Sequence, residues 1–133
     1  MIFIDSNVPM YLVGAAYRHK ADARLILETL VAAKQRLVCD AEVVQEILHR
    51  YAAIECREAI TPAIHVLLGV VDEVFPIERQ DVLRAAAIVS GKEKLSARDA
   101  LHIAIMERYG IHQIFSFDGD FDRWPGLERI WRT

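Results

Sequence analysis

Short apolar runs alternate along this chain with longer segments whose apolar residues recur at helical spacing. The short runs are typical of buried strands and predict strands over residues 2–4, 36–39, 73–77 and 111–117. Helices are predicted between them, after Asp5-Ser6-Asn7 with Pro9 near the first turn, then over 20–35, 42–56, from just after Thr61-Pro62, 81–89 and 97–109. This alternation favours an α/β fold whose parallel sheet is covered by helices, with ligands at the carboxyl ends of the strands.

Two of the predicted helices differ in how their apolar residues are distributed. In the helix over 42–56 these residues fall on one side, as expected for a helix that packs on a sheet: Val43, Ile47, Tyr51 and Ile54. The segment 97–109 is apolar nearly all round and leaves no wide polar face. We therefore expect 97–109 to be a central helix.

Composition indicates one compact domain over residues 1–133. The 133 residues are 53% hydrophobic, which is enough to bury a core, and the six Gly and four Pro do not cluster into a linker. Cys39 and Cys56 are too few for a disulfide framework, and we expect both to be reduced core residues. The start of the chain lacks the features of a leader, and no apolar run approaches the roughly 18 residues of a membrane span. We expect a soluble, cytoplasmic protein.

Charge gives no global sign of a nucleic-acid partner. The net charge is -3, from 16 Lys plus Arg and 19 Asp plus Glu. Carboxylates gathered at one site would lower this total, and cations such as Lys92, Lys94 and Arg98 can still form a rim beside them. A local basic surface is therefore compatible with the acidic total.

Asp5 and Glu46 are the first two candidates for site chemistry, and each has a structural alternative. Asp5 follows the first predicted strand, where it can also serve as a helix cap. Glu46 lies four residues before Arg50, the spacing of an ordinary surface ion pair on a helix. It also lies about 60° from Val43 around the helix, so its carboxylate can reach the edge of the buried sheet.

Asp99 and Asp118 complete the set of candidates. Asp99 is in the first turn of the central helix, where it and Ser96 can form a capping box. Asp118 closes the last clear strand, in an Asp- and Gly-rich segment that is also typical of a turn. The spacing of Asp118, Asp120 and Asp122 suggests a calcium loop, but Arg123 and Arg129 occupy the positions that such a loop reserves for Gly and Glu.

Together the four carboxylates predict a site for a hard divalent cation. Two of them end parallel strands and two lie early in helices on that sheet, so all four approach one edge. Like charges at such distances are unfavourable without a cation, and oxygen ligands suit Mg²⁺ or Mn²⁺. Ser6, Asn7 and Ser116 stand beside the acidic positions and can orient them. We interpret His102, alone in an apolar helix, as a hydrogen-bonded core residue and not as a catalytic one.

The sequence resembles the PIN-domain proteins, and most closely the VapC toxins of bacterial toxin-antitoxin pairs. Four segments carry the resemblance, in the same order along the chain: Ile4-Asp5-Ser6-Asn7, Val43-Val44-Gln45-Glu46-Ile47-Leu48, Ser96-Ala97-Arg98-Asp99-Ala100-Leu101-His102-Ile103-Ala104 and Ser116-Phe117-Asp118-Gly119-Asp120-Phe121. No single segment is decisive, but four segments in this order and at these separations are specific, and the resemblance extends over essentially the whole chain.

The resemblance implies a three-layer α/β/α fold with a short central parallel sheet and a Mg²⁺- or Mn²⁺-dependent endoribonuclease, often a homodimer. Position by position, it implies that Asp5 and Asp99 are metal ligands, that Glu46 and Asp118 complete the acidic quartet, and that Ser116 supplies the hydroxyl. It also implies a small antitoxin that lays a helix and a tail over the acidic groove. Asp120 or Asp122 can share the role given to Asp118, because three aspartates crowd the last segment.

Three other functions compete with this interpretation. A phosphatase or phosphotransfer domain could use Asp5 as a nucleophile. The haloacid dehalogenase pattern, however, requires a second Asp where this chain has Asn7, and receiver domains require an acidic pair and a Lys that are missing here. The alternative from another class is a non-catalytic PIN-like module that binds RNA or protein without cutting, and a metal titration separates it from a nuclease.

Overall fold

A computed structural model describes residues 1–14 and 18–132 of the chain, and within them five strands alternate with six α-helices. In chain order the elements are β1 (Ile2–Ile4), α1 (Asn7–Val13), α2 (Arg18–Ala32), β2 (Leu37–Asp40), α3 (Ala41–Ala53), α4 (Ile60–Val70), β3 (Glu73–Phe75), α5 (Arg79–Val89), α6 (Ala97–Arg108), β4 (Gln113–Phe115) and β5 (Glu128–Ile130). Two short 3₁₀ helices, Arg57–Ala59 and Gly119–Arg123, precede α4 and β5.

The strands form one parallel sheet in the order β3-β2-β1-β4-β5. β1 is central because all three of its residues are apolar and buried on both faces. Its register with β4 pairs Ile4 with Phe115, so the residues that follow, Asp5 and Ser116, leave the sheet side by side. The sheet that the sequence predicts is therefore confirmed, and its carboxyl edge brings distant segments together.

The helices fall into two groups that cover opposite faces of the sheet. Helix α1 packs on α2 and α4, α3 packs on α4, and α5 packs on α6. The chain moves outward from β1 to β3 and then crosses back to β4, so right-handed connections place the two groups on different faces. This is the three-layer α/β/α arrangement that was expected. Its centre is filled mainly by large side chains that are fully buried, among them Phe3, Phe115, Phe121, Ile47, Leu67 and Ile103.

Several predicted boundaries are wrong by a few residues. The helix predicted over 42–56 ends at Ala53, so Ile54 lies beyond it and is 60% exposed instead of buried. Helix α4 begins at Ile60, before Thr61-Pro62, because a proline in the first turn of a helix needs no amide hydrogen. The strand predicted over 111–117 is only β4, so Asp118 does not close it but lies in the following turn.

The prediction for the cysteines is half correct. Both are free, and Cys39 is buried in β2, but Cys56 is only half-buried in the turn after α3. Its sulfhydryl lies 3.3 Å from a Glu58 carboxylate oxygen. Cys56 is therefore a turn residue and not a core residue.

No helix within residues 1–14 and 18–132 is long and apolar enough to cross a membrane.

Candidate active site

Asp5 lies where the strand order changes direction, between β1 and β4, which is where open α/β sheets bind ligands. Its backbone amide donates to the Phe115 carbonyl, and its side chain is almost fully buried. Three donors hold the carboxylate: the Ser6 amide at 2.8 Å, the Ser116 hydroxyl at 2.5 Å and the Asn7 side-chain amide at 3.3 Å. None of them belongs to the amides that a helix cap bonds, so the capping alternative does not explain Asp5.

Glu46 points from α3 toward this same edge of the sheet. One carboxylate oxygen accepts from the Ser6 hydroxyl at 2.8 Å, and the other lies 2.5 Å from His102 Nε2. Among the described residues it forms no ion pair with Arg50, so the surface-pair alternative is wrong. Burial alone would raise the pKa of Glu46, but the hydrogen bond and charge of His102, helped by Ser6, lower it overall.

Asp99 lies in the first turn of α6 and belongs to a second group of carboxylates. The Ser96 hydroxyl oxygen accepts from the Asp99 amide at 3.2 Å, so Ser96 caps the helix as expected. Burial, followed by the charges of Asp5 and Asp118, raises the pKa of Asp99 to about 7. The cap therefore exists together with a strongly perturbed carboxyl group, which is the signature expected of a functional site.

The four predicted carboxylates do not form one cluster but two adjoining ones. Asp5, Glu46 and His102 present atoms within 4.8 Å of one another, and Asp99, Asp118 and Asp120 do the same. Asp5 and Asp118 both act on the pKa of Asp99, so the two groups adjoin. Asp118 also caps the following 3₁₀ helix through the Asp120 amide, as the turn alternative requires.

The structure separates the roles of Asp120 and Asp122. Asp120 lies within the second group, although Arg123 also contacts it at 3.2 Å. Asp122 is not part of either group and forms a two-pronged pair with Arg129, with both distances 3.0 Å. Of the two additional aspartates in this segment, only Asp120 is therefore placed to share the role of Asp118.

Sequence reasoning missed one contact of the candidate site, in which His102 joins Asp40 to Glu46. Asp40 ends β2 and is fully buried, and its carboxylate lies 2.8 Å from His102 Nδ1. Desolvation opposes a charge on His102, but the two carboxylates outweigh it and raise the histidine pKa well above its usual value. His102 is thus the hydrogen-bonded core residue that was predicted. A signal for Asp40 was available, since it follows an apolar strand as Asp5 does.

A cavity of about 150 Å³ opens beside Glu46. Two arginines, Arg50 and Arg98, line it together with Tyr11, Met10 and the start of α1. Neither arginine forms an ion pair within the described part of the chain, so both are available to an anion. Arg98 thus lies on the predicted basic rim, whereas Lys92 and Lys94 do not line this cavity.

The donor set fits a hard divalent cation. Apart from His102, the potential ligands of the two groups are carboxylate oxygens, and hydroxyl and amide donors already fix the Asp5 carboxylate. A cation between the two groups would offset the burial and the neighbouring carboxylate charges that raise the pKa of Asp99 to about 7. Oxygen-only ligation is typical of Mg²⁺ and Mn²⁺.

Comparison with known proteins agrees with this architecture. Residues 2–127 match the family model described as PIN domain. Ribonuclease VapC13 of Mycobacterium tuberculosis is 55% identical over 130 residues, which cover 98% of this chain and 99% of that protein. Ribonuclease VapC23 of the same species is 36% identical over 118 residues, which cover 89% and 93%. The chain therefore belongs to the PIN-domain family and, within it, to the VapC ribonucleases.

Solved structures show the same fold. The crystal structure of Mycobacterium tuberculosis VapC20, described as a Sarcin-Ricin loop cleaving toxin, has a TM-score of 0.74 and 25% identity, and the match covers 92% of this chain and 93% of that one. VapBC2 from Rickettsia felis, bound to a DNA fragment from its promoter, also gives a TM-score of 0.74 at 15% identity, over 98% of both chains. At that lower identity the likeness concerns the fold alone.

Proposed function

We propose that this protein is a Mg²⁺- or Mn²⁺-dependent endoribonuclease and the toxin of a VapBC-type pair. The observation that carries the proposal is the meeting of Asp5 and Asp99 at the switch point of the sheet, in a chain whose relatives are VapC ribonucleases. Asp5, Asp99 and Asp118 would hold the ion, with Glu46 beside them. The bound ion would supply Lewis-acid stabilisation of the phosphate and a lower pKa for the attacking water.

The chain's own residues would do the rest of the work. Ser116 and Asn7 keep the Asp5 carboxylate in one orientation. Glu46, held at both oxygens, would orient the attacking water. Arg50 and Arg98 would bind the phosphates of a single strand that lies in the adjoining cavity. In-line attack on phosphorus would then leave 5′-phosphate and 3′-hydroxyl ends.

The partner proposal follows from the same site. An antitoxin would inhibit the enzyme by covering the acidic groove and the arginines beside it. We also propose that the protein forms a homodimer, as the resemblance to VapC toxins implies. Light scattering of the free protein tests the dimer, and inhibition of cleavage by the product of the neighbouring small gene tests the antitoxin.

Cleavage of a structured RNA by the purified protein tests the enzymatic proposal. The assay compares Mg²⁺, Mn²⁺ and EDTA for the wild type, Asp5→Asn and Asp99→Asn. We expect metal-dependent cutting that each substitution reduces at least about 100-fold, because each removes a ligand charge. The matched control is Asp122→Asn, in the same acidic loop but bound to Arg129, which should cut within a few-fold of the wild type.

Two results would contradict the proposal. Cutting that persists in both site variants would mean that the carboxylates are not the catalytic centre. Metal binding without cleavage across a broad panel of RNAs would favour a non-catalytic PIN-like module that binds RNA or protein. The substitution Asp120→Asn, in the same assay, would show how far Asp120 shares the role of Asp118.

A further inference from the structure

His102 has neither ring nitrogen free. The side chain is fully buried one turn after Asp99 on α6. Nδ1 lies 2.8 Å from an oxygen of Asp40, and Nε2 lies 2.5 Å from an oxygen of Glu46. A histidine that binds a metal must direct a nitrogen lone pair at the ion, and both nitrogens are committed to carboxylates here. The ring is therefore placed as a bridge between Asp40 and Glu46.

Each end of this bridge is itself fixed. The second oxygen of Asp40 accepts from the Val43 amide at 2.9 Å and so caps α3, which anchors Asp40 to the helix that carries Glu46. The second oxygen of Glu46 accepts from the Ser6 hydroxyl at 2.8 Å. His102 therefore holds the Glu46 carboxylate on one side and the start of α1 holds it on the other, so that both of its oxygens are hydrogen-bonded.

We propose that His102 is a positioning residue for the metal site, which holds Glu46 in the orientation the site requires while Asp40 holds the ring. His102 is then not a metal ligand, although a ring nitrogen lies within 4.8 Å of carboxylate oxygens of Asp5 and Glu46. The inference rests on the proposed function only in that Glu46 belongs to the metal site. It requires no statement about RNA, so metal binding alone can test it.

A matched pair of substitutions separates positioning from ligation. The amide nitrogen of His102→Gln can reach the place of Nε2 and still donate to Glu46, whereas His102→Asn can replace only the Nδ1 contact with Asp40. We expect the dissociation constant for Mn²⁺, measured by calorimetry, to rise about tenfold or more in His102→Asn and less than about threefold in His102→Gln. A direct ligand would instead lose affinity equally in both variants.

A double-substitution cycle with Glu46→Gln provides the second measurement. If His102 acts through Glu46, the effect of His102→Asn on Mn²⁺ affinity shrinks to less than about twofold in the Glu46→Gln background. An effect that persists in full would overturn the proposal. So would unchanged Mn²⁺ affinity in His102→Asn accompanied only by a lower melting temperature, since this is the result of a purely structural role.

Two further variants keep the test decisive. If His102→Asn does not fold, Asp40→Asn replaces it. The substituted side chain would keep the oxygen that caps α3 and a similar volume, but it would hold the His102 ring less strongly. Unchanged Mn²⁺ affinity in Asp40→Asn would overturn the proposal.

The control is Asp81→Asn, a buried aspartate paired with Arg108 at the far end of α6, which should lose stability but no Mn²⁺ affinity. Normal Mn²⁺ responses without RNA cleavage would refute the proposed function alone, and a wild type that binds no Mn²⁺ would refute both.

Discussion

At the scale of single residues, Asp99 combines burial with two carboxylate neighbours. These three causes place its pKa at about 7, against 3.8 for the free side chain. Between those pH values the folded protein binds a proton that the unfolded chain releases. The free energy of unfolding therefore falls as the pH rises from about 4 to about 7, and the loss is complete above pH 7.

We expect this penalty to appear as a lower melting temperature in EDTA at pH 8 than at pH 5. This penalty, discounted for solvent screening, is about 2 kcal/mol, which corresponds to roughly 7 °C in melting temperature for a chain of this length. Asp99→Asn should remove it, so that this variant melts above the wild type at pH 8 in EDTA. Mn²⁺ should raise the melting temperature of the wild type more at pH 8 than at pH 5.

Thermal unfolding followed by circular dichroism at the two pH values checks this prediction. The control is Asp22→Asn, an exposed carboxylate on α2 that belongs to neither group of site carboxylates and should keep the pH dependence of the wild type. An Asp99→Asn variant that retains the full difference between pH 5 and pH 8 would assign the penalty to another group.

The acidic residues of the site could be read from the sequence because each occupies a recognisable local position. Asp5 follows a strand, Asp99 begins a helix, and Glu46 borders an apolar stripe. The Asp40–His102 contact could not be predicted in the same way, since it joins residues 62 positions apart in chain order. Such a contact depends on the register of β2 against the sheet and on the depth of α6, and neither is a local property.

At the scale of elements, α5 packs on α6, the helix that carries Asp99 and His102. Two ion pairs join these helices. Asp81, buried in the first turn of α5, pairs with Arg108 at 2.8 Å and also accepts from the Glu78 amide. Arg84 and Glu107 form a two-pronged pair that is largely exposed.

We expect the two pairs to differ in their contribution to stability. Asp81→Ala should lower the free energy of unfolding by about 2–3 kcal/mol, because it removes a buried hydrogen-bonded partner of Arg108 and a cap. Glu107→Ala should cost less than about 1 kcal/mol, as for other exposed pairs. Urea unfolding measures both. Equal losses would mean that burial does not decide the strength of these contacts.

Most elements could be predicted because each has a strong periodic signal, but their ends and one strand could not. The strand β5 has only three residues, Glu128–Ile130, with two charged residues among them and a place at the edge of the sheet. Its pairing with β4 makes it a strand, and a short edge strand carries little apolar pattern of its own. Ile54 was misplaced for a related reason, since tertiary contacts decide where α3 stops.

At the scale of the whole molecule, a protein with a net charge of -3 is proposed to bind a polyanion. The distribution of charge accounts for this, because the carboxylates are gathered at the site while Arg50 and Arg98 line the adjoining cavity beside Glu46 and form no ion pair among the described residues. Binding should therefore depend on a few local contacts with phosphates and not on the field of the whole protein.

Salt dependence can count those contacts. We expect Arg98→Gln and Arg50→Gln each to reduce the slope of log affinity against log salt for single-stranded RNA by about 0.7, the value for one phosphate contact. Fluorescence anisotropy in an Asp5→Asn background, where the RNA is not cut, measures the slope. The control, Arg36→Gln, directly precedes β2 at the amino edge of the sheet, opposite to the carboxyl edge that holds the site, and should leave the slope unchanged. Equal slopes for all three variants would place the RNA on another surface, and the acidic cluster would then lack the basic cavity that we propose guides its substrate.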